Sequence, residues 1–274
     1  LIAGALFGGA WWVAPSAYFV GIAAIILSGI ILKKTKMFEG EAAPFVMELP
    51  AYHWPTVGNI LRSMWERGWS FIKKAGTIIL LATIVIWFLQ GFGFENGSFG
   101  MVEDTESSLL AVIGGALAFL FKPLGWGNWQ YAVAAISGLV AKENIVATLG
   151  IVFGFAEVAE DGVEIWGLMA SQLTVVSAYS FLIFNLLCAP CFAAMGAIRR
   201  EMNNAKWTWF AIGYECGFAY IIAFMINQLG NALLFGQFGI GTVIALAVLV
   251  AFLYMLFRKD PAKKLEAASK KIAA

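Results

Sequence analysis

The chain has 274 residues, 61% of them hydrophobic and 13% charged, with a mean hydropathy of +0.81. A soluble domain of this size carries about twice that share of charge, so the composition excludes an ordinary soluble globule. The formal net charge is only +1, so the placement of charge informs more than its sum, and no nucleic-acid partner is expected.

Five apolar runs are long enough to cross a hydrocarbon core of about 30 Å. They are continuous rather than alternating, so the spans are helices and the lipid bilayer is the first partner. The expected fold class is an all-α polytopic transmembrane helix bundle. Leu1 opens directly in apolar sequence, with no Met and no basic n-region, which reads as a chain cut from something longer. The sequence contains no GxxxxGK phosphate loop, and its three cysteines give no disulfide framework.

In chain order, the first span covers about residues 11–32 and ends in 33-KKTK-36. Prolines 44, 50 and 55 keep the polar stretch 39–55 from being one regular helix. Residues 56–74 then read as an amphipathic helix, with Val57, Leu61, Met64, Trp65 and Ile72 on roughly one face. Such a helix suits the plane of the membrane surface. A second span follows over about Ala75 to Phe94.

Residues 91–108 and 155–166 each hold four acids and no base. Residues 33–74 hold seven bases against four acids, 199–206 three against one, and 258–274 six against two. The basic bias puts the last three segments in the cytoplasm and the two acid-only loops on the other side. An even number of crossings must then lie between those loops. The material there is 109-LLAVIGGALAFLF-121, which is short for a span, and 128–154, interrupted by 142-KEN-144. The reading is a broken or re-entrant helix pair, turning near 123-PLGWG-127 or at the charged triad. A surface helix followed by a buried, tilted hairpin is the alternative. The last three spans cover about 174–198, 207–229 and 239–257.

Charges inside a bilayer are costly and mark function or a structural ion pair, and both readings stand for Lys142 and Glu143. Glu215 lies about 12 Å along its span from Trp207. It could ligate a cation or accept hydrogen bonds between helices. Gly213 and Gly217 flank it in a small-xxx-small pattern that favours close packing. Cys188 and Cys191 flank a proline in 186-LLCAPCFAAMGAIRRE-201. With no second CxxC and with His53 in a distant loop, a closed zinc site is excluded. Thiolates and freed carbonyls at a proline kink can instead form a transient cation site. The other reading is two small apolar residues packed at a kink. Three apart on a helix, the two cysteines can share a face. Cys216 reads as a gap-filling core residue, and Met195 and Met202 as packing and surface residues.

The stretches 38-FEGEAAPFVMELPAYHWPT-56, 73-KKAGTIIL-80, 141-AKENIVATLG-150 and 190-PCFAAMGAIRRE-201 resemble the bacterial ferrous iron transport protein B family. The resemblance runs through nearly the whole chain, which looks like the second half of the family's membrane part. It implies Fe²⁺ as transported substrate, taken up across the bacterial inner (plasma) membrane. It implies GTP and Mg²⁺ only in an N-terminal GTPase domain outside this sequence, which is therefore not itself expected to be an enzyme. Glu143 matches the glutamate of the second gate and Cys191 the gate cysteine after a proline, both on the implied metal path. Cys188 and Glu215 depart from the family pattern and are the weaker members of that path. The implied partners are the GTPase and first gate region, a small cytoplasmic accessory iron-transport protein and further copies of the chain.

On this basis the chain divides into a first span and its cytoplasmic edge (1–38), a cytoplasmic or interfacial amphipathic segment (39–74), a second span with a periplasmic acidic loop (75–108), a second gate-like region with broken helices (109–206), a terminal helix pair (207–257) and a basic cytoplasmic tail (258–274). Two other functions fit the same sequence. One is a gate-domain permease for a nucleoside-like solute, using Asn144, Asn185 and tryptophans. The other is a non-transporting membrane scaffold for a GTPase module.

Overall fold

The computed structural model describes residues 2–35, 37–38, 56–95, 98–102, 105–140, 142, 144–155 and 163–258. The proline-rich stretch with His53, Glu143, acidic residues 157, 160 and 161, and the basic tail after 258 lie outside the described residues. Within them the order is α1 (Ile2–Phe7), α2 (Val13–Lys33), α3 (Val57–Gly91), β1 (Phe92–Glu95), β2 (Ser98–Met101), α4 (Leu109–Phe121), α5 (Trp129–Val140), α6 (Asn144–Val152), α7 (Trp166–Gln172), α8 (Val175–Leu187), α9 (Phe192–Met202), α10 (Ala205–Phe235) and α11 (Ile240–Phe257).

Three described helices, α2, α10 and α11, are single rods long and apolar enough to cross a membrane, and two bent pairs raise the number to as many as five. The first predicted span is α2, and the last is α11. With 31 residues, α10 is about 46 Å long and outruns the hydrocarbon core. Its start is set by Asn204, whose side-chain oxygen accepts from the backbone N–H of Lys206 at 2.9 Å. Asn203 before it takes the left-handed conformation (φ +44°) that ends α9, so two asparagines make a tight helix–helix corner.

The broken pair expected between the two acidic loops is present. α4, with a 3-10 turn at Lys122–Leu124, meets α5 at 96°. The chain also breaks between α5 and α6 at the charged triad, so both proposed turning points are used. A second bend was not foreseen: α7 meets α8 at 116° across a capping box between Thr174 and Ser177. The predicted span 174–198, with its expected kink at the proline, is in fact two helices: α8 starts at a sharp corner and stops at Leu187 before Pro190, and α9 resumes at Phe192.

Two further features differ from the expectation. The amphipathic stretch and the second span are one uninterrupted helix, α3, of 35 residues. No proline separates them, and the glycines between do not break a helix. The acidic loop after α3 begins with an antiparallel hairpin, β1 with β2, pairing Phe92 with Met101 and Phe94 with Phe99. It is a small addition to an otherwise helical bundle.

The core lies where α4, α5 and α8 meet under α10. Trp126, Tyr131 and Phe181 are buried there. Trp126 stacks on Phe121 at 4.5 Å and meets Phe181 edge-on at 5.0 Å. The 123–127 turn is held from α10. Asn227 and Gln228 both donate to the Pro123 carbonyl, at 3.1 and 2.8 Å. Gly125 has φ +90°, and a Cβ there would run into Asn227 Oδ1 and approach Ser177 Cβ to 2.7 Å. Gly125→Ala combines left-handed strain with that overlap. It should destabilise the protein by at least about 2 kcal/mol, read as an earlier thermal unfolding transition in detergent.

Candidate functional site

The site begins with Pro190. It has no N–H to continue a helix and forces the residue before it away from helical geometry. Cys188 (ψ 160°) and Cys191 (ψ 159°) are both extended and bound a four-residue gap between α8 and α9. The two cysteines therefore sit at opposite lips of a break. The shared helical face that their spacing allowed does not form, because the helix that would carry it stops.

A helix that stops inside a bundle leaves carbonyls without partners. Lys142, from the break between α5 and α6, answers this one. Its Nζ donates to the carbonyls of Leu186 at 3.3 Å and Cys188 at 3.4 Å. The ammonium also meets the negative end of the α8 dipole. Two interrupted helices thus meet end to side, with the cation of one on the carbonyl end of the other. Among the described residues the hydrogen-bond partners of Lys142 are these backbone carbonyls.

A cavity of about 610 Å³ opens beside this junction, between α2, the end of α8 and the first half of α10. Ser28, Lys142, Cys188, Tyr214 and Glu215 are among its lining residues, in a lining that is otherwise mostly apolar. Ser28 Oγ and Tyr214 OH share a hydrogen bond of 2.7 Å across it, tying α2 to α10. Glu215 Oε2 is buried with no hydrogen-bond partner. Cys188 Sγ lies 3.7 Å from Cys216 Sγ on α10, and all three cysteines are free thiols.

The predicted residues are thus partly brought together. Cys188 and Glu215 line one cavity. Cys191 caps α9, half-buried, and is not among the lining residues. Glu143 lies outside the described residues, between Lys142 and Asn144. Among the described residues, no group of three or more His, Cys, Asp or Glu side chains is placed to hold a metal ion. Gly213 and Gly217 do not form the expected close contact. Nothing comes within 4 Å of a Cβ built on either, because that face of α10 is open. Cys216, read as a core gap-filler, is the residue that sequence reasoning missed.

The family model described as "Ferrous iron transport protein B C terminus" matches residues 14–67, and the gate model described as "Nucleoside recognition" matches 72–205. Together they take in α2, α3 and the whole set of broken helices. The chain belongs to the ferrous iron transport protein B family. Among the family's members, it is 35% identical over 239 residues to the "Fe(2+) transporter FeoB" of Methanocaldococcus jannaschii, covering 85% of this chain and 34% of that protein. The FeoB of Staphylococcus aureus strain COL is 34% identical over 216 residues, 79% of this chain and 31% of its own length. An "Fe(2+) transport protein A/Fe(2+) transporter FeoB fusion protein" from Porphyromonas gingivalis is 31% identical over 271 residues, 84% of this chain and 32% of its own length. The chain spans about a third of the length of these relatives. What it matches is the C-terminal and gate region of the FeoB family, a multi-pass part of the inner membrane. No solved structure matches it.

The junction makes a direct prediction. Lys142→Met leaves two α8 carbonyls without their charged donor, which should cost about 1.5–3 kcal/mol. Lys142→Arg keeps the charge and should recover part of the loss. Thermal unfolding of the two variants of the full-length protein in detergent checks this.

Proposed function

We propose that this chain is the permease part of a transporter that takes up Fe²⁺ across the inner membrane, with the GTPase domain and first gate region supplied by further sequence. The observation that carries the reading is the broken end of α8. There a thiol, a buried carboxylate oxygen and a charged residue share one cavity, in a chain whose relatives are named as Fe²⁺ transporters. Sulfur and carboxylate donors together favour a borderline transition-metal ion over Mg²⁺ or Ca²⁺. Incomplete ligand sets beside a helix break bind an ion without trapping it, which conduction requires. Fe²⁺ is the substrate here, and Glu143, Cys191, Cys188 and Glu215 form its proposed path.

The basic-residue bias makes the cavity a cytoplasm-facing vestibule, since it lies near Lys33, Lys34 and the start of α10. The same bias orients the proposed divisions of the chain, with the hairpin loop periplasmic and the tail cytoplasmic. A small accessory iron-transport protein and self-association are proposed partners. In the Porphyromonas gingivalis relative, a transport protein A is named as fused to the transporter. The nucleoside-like alternative needs aromatic and amide groups facing a cavity, and Trp207 does line this one. Asn185 instead donates to the Phe181 carbonyl of its own helix at 2.8 Å, and neither it nor Asn144 lines the cavity.

The decisive test is anaerobic Fe²⁺ uptake by the full-length protein in sealed vesicles, normalised to protein in the membrane. Cys191→Ser and Glu215→Gln should each lower the initial rate at least about tenfold, which is about 1.4 kcal/mol on the barrier, while expression persists. Unchanged rates in both would end the proposed path. Sidedness is read separately by labelling single cysteines introduced at Ser98 and Ser269 in a cysteine-free background. An external reagent should reach the first and not the second.

A further inference from the structure

At the edge of the cavity, where Cys188 lines it, lies one pairing that iron uptake by the family does not by itself assign. Cys188, on the end of α8, and Cys216, on α10, lie on separate helices 28 positions apart, with their sulfurs 3.7 Å from each other. A tetrahedral ion with metal–sulfur bonds of about 2.3 Å holds its two sulfurs about 3.8 Å apart. A disulfide requires about 2.0 Å. The observed separation is thus the chord of a dithiolate chelate, already formed before any ion arrives. Both side chains are half-buried and outside any disulfide, Cys188 lines the cavity, and in the unloaded protein its thiol donates a hydrogen bond to Cys216 Sγ, which the ion would replace.

We propose that Cys188 and Cys216 chelate one thiophilic divalent cation, of the Zn²⁺ or Cd²⁺ type, across α8 and α10. Binding is a ligand exchange. Two S–H bonds release their protons to water, two metal–sulfur bonds replace two metal–water bonds, and no electron moves. Two sulfurs select such ions over Mg²⁺ and Ca²⁺. The remaining coordination positions are left to solvent, since no third His, Cys, Asp or Glu among the described residues is placed to share the ion. With two protein sulfurs rather than four, the site is open, so the ion is exchangeable rather than structural. Its location has a mechanical consequence. Cys188 is the first residue beyond α8, at the α8–α9 break, and α10 is a continuous rod, so a bound ion fixes the broken end to the rod. A thiophilic ion seated there holds the cavity in one shape and blocks passage of the transported ion. The inference deepens the proposed function of this cavity, but the binding itself does not depend on iron being the cargo.

The test uses the reduced full-length protein in detergent, titrated anaerobically with Cd²⁺ alone. The readouts are the ultraviolet sulfur-to-cadmium charge-transfer band and the bound equivalents by equilibrium dialysis. Cys188→Ser and Cys216→Ser should each abolish one bound equivalent and its band, and the double variant should lose no more than either single. Cys191→Ser should keep them. Cys216→Ala, with unfolding followed in parallel, separates lost ligation from lost folding. As a second measurement on unmodified protein, a mild oxidant should join Cys188 to Cys216, found by peptide mass, and prior Cd²⁺ should protect the pair. Full Cd²⁺ binding in both serine variants, loss only in Cys191→Ser, or oxidation unaffected by Cd²⁺ would each overturn the proposal. Fe²⁺ uptake in the same vesicles keeps the two readings apart. Uptake that fails while Cd²⁺ still binds the pair counts against the transport function alone. Uptake that persists with no Cd²⁺ bound counts against the chelate alone.

Discussion

The backbone carbonyls freed where helices break govern this structure. In water such groups cost little, but in a lipid-embedded bundle each one needs a donor from the protein itself. The chain breaks its helices repeatedly and supplies side-chain donors at several of the ends. Asn227 and Gln228 serve Pro123 at the α4–α5 turn. Tyr220 OH donates to Leu120 at 2.7 Å just before that turn, and Lys142 serves the end of α8. Lys34, after α2, reaches the Leu256 carbonyl at the end of α11. Most of these donors come from α10, the longest apolar rod among the described helices. Its hydrophobicity keeps it in the bilayer, and its few polar residues are spent on its neighbours' broken ends.

That arrangement divides the bundle into a rigid part and a loose one. Around Trp126, Tyr131 and Phe181 the aromatic packing is tight, and Ser180 Oγ bonds the Ala223 carbonyl at 2.9 Å between α8 and α10. Beyond Leu187 the same two helices part, and the space between them becomes the cavity. The outer faces belong to lipid. Leu233, Ile240 and Phe257 are each at least 80% exposed in the bare chain, an arrangement that only a bilayer makes stable. Site and anchor therefore lie on one helix, at opposite ends of α10: Glu215 and Cys216 in its first half, Leu233 near its last turn.

Long apolar spans and helix-breaking residues were legible in the sequence, because both act locally. Continuous hydrophobicity marked α2, α10 and α11, and Pro123, Gly125 and Pro190 marked the interruptions. The amphipathic surface helix was misjudged because a change in composition between 56–74 and 75–91 was taken for a change in structure. Without a breaker, α3 simply continues. The hairpin was overlooked because its four-residue strands carry almost no periodicity, although the Asn96–Gly97 dipeptide between them is a strong turn signal. The α7–α8 corner depends on a capping box, Thr174 with Ser177, embedded in a run apolar enough to pass as one span.

The candidate site was legible by residue type and not by partnership. Chemistry singled out Cys188, Glu215 and Lys142 as costly or reactive groups in an apolar setting. Their partners come from other helices, and no local spacing encodes them. The CxxC spacing allowed Cys188 and Cys191 to share a helical face, but the helix breaks between them. Once the helix ends at Leu187, Cys188 is free of its own segment and turns to the helix packed alongside, where Cys216 waits at 3.7 Å. The proline therefore does two things with one break. It opens carbonyls that draw in the charge of Lys142, and it releases a sulfur toward α10. A straight helix through 174–202 would satisfy its own backbone, leave no cavity, and bring neither group to the other.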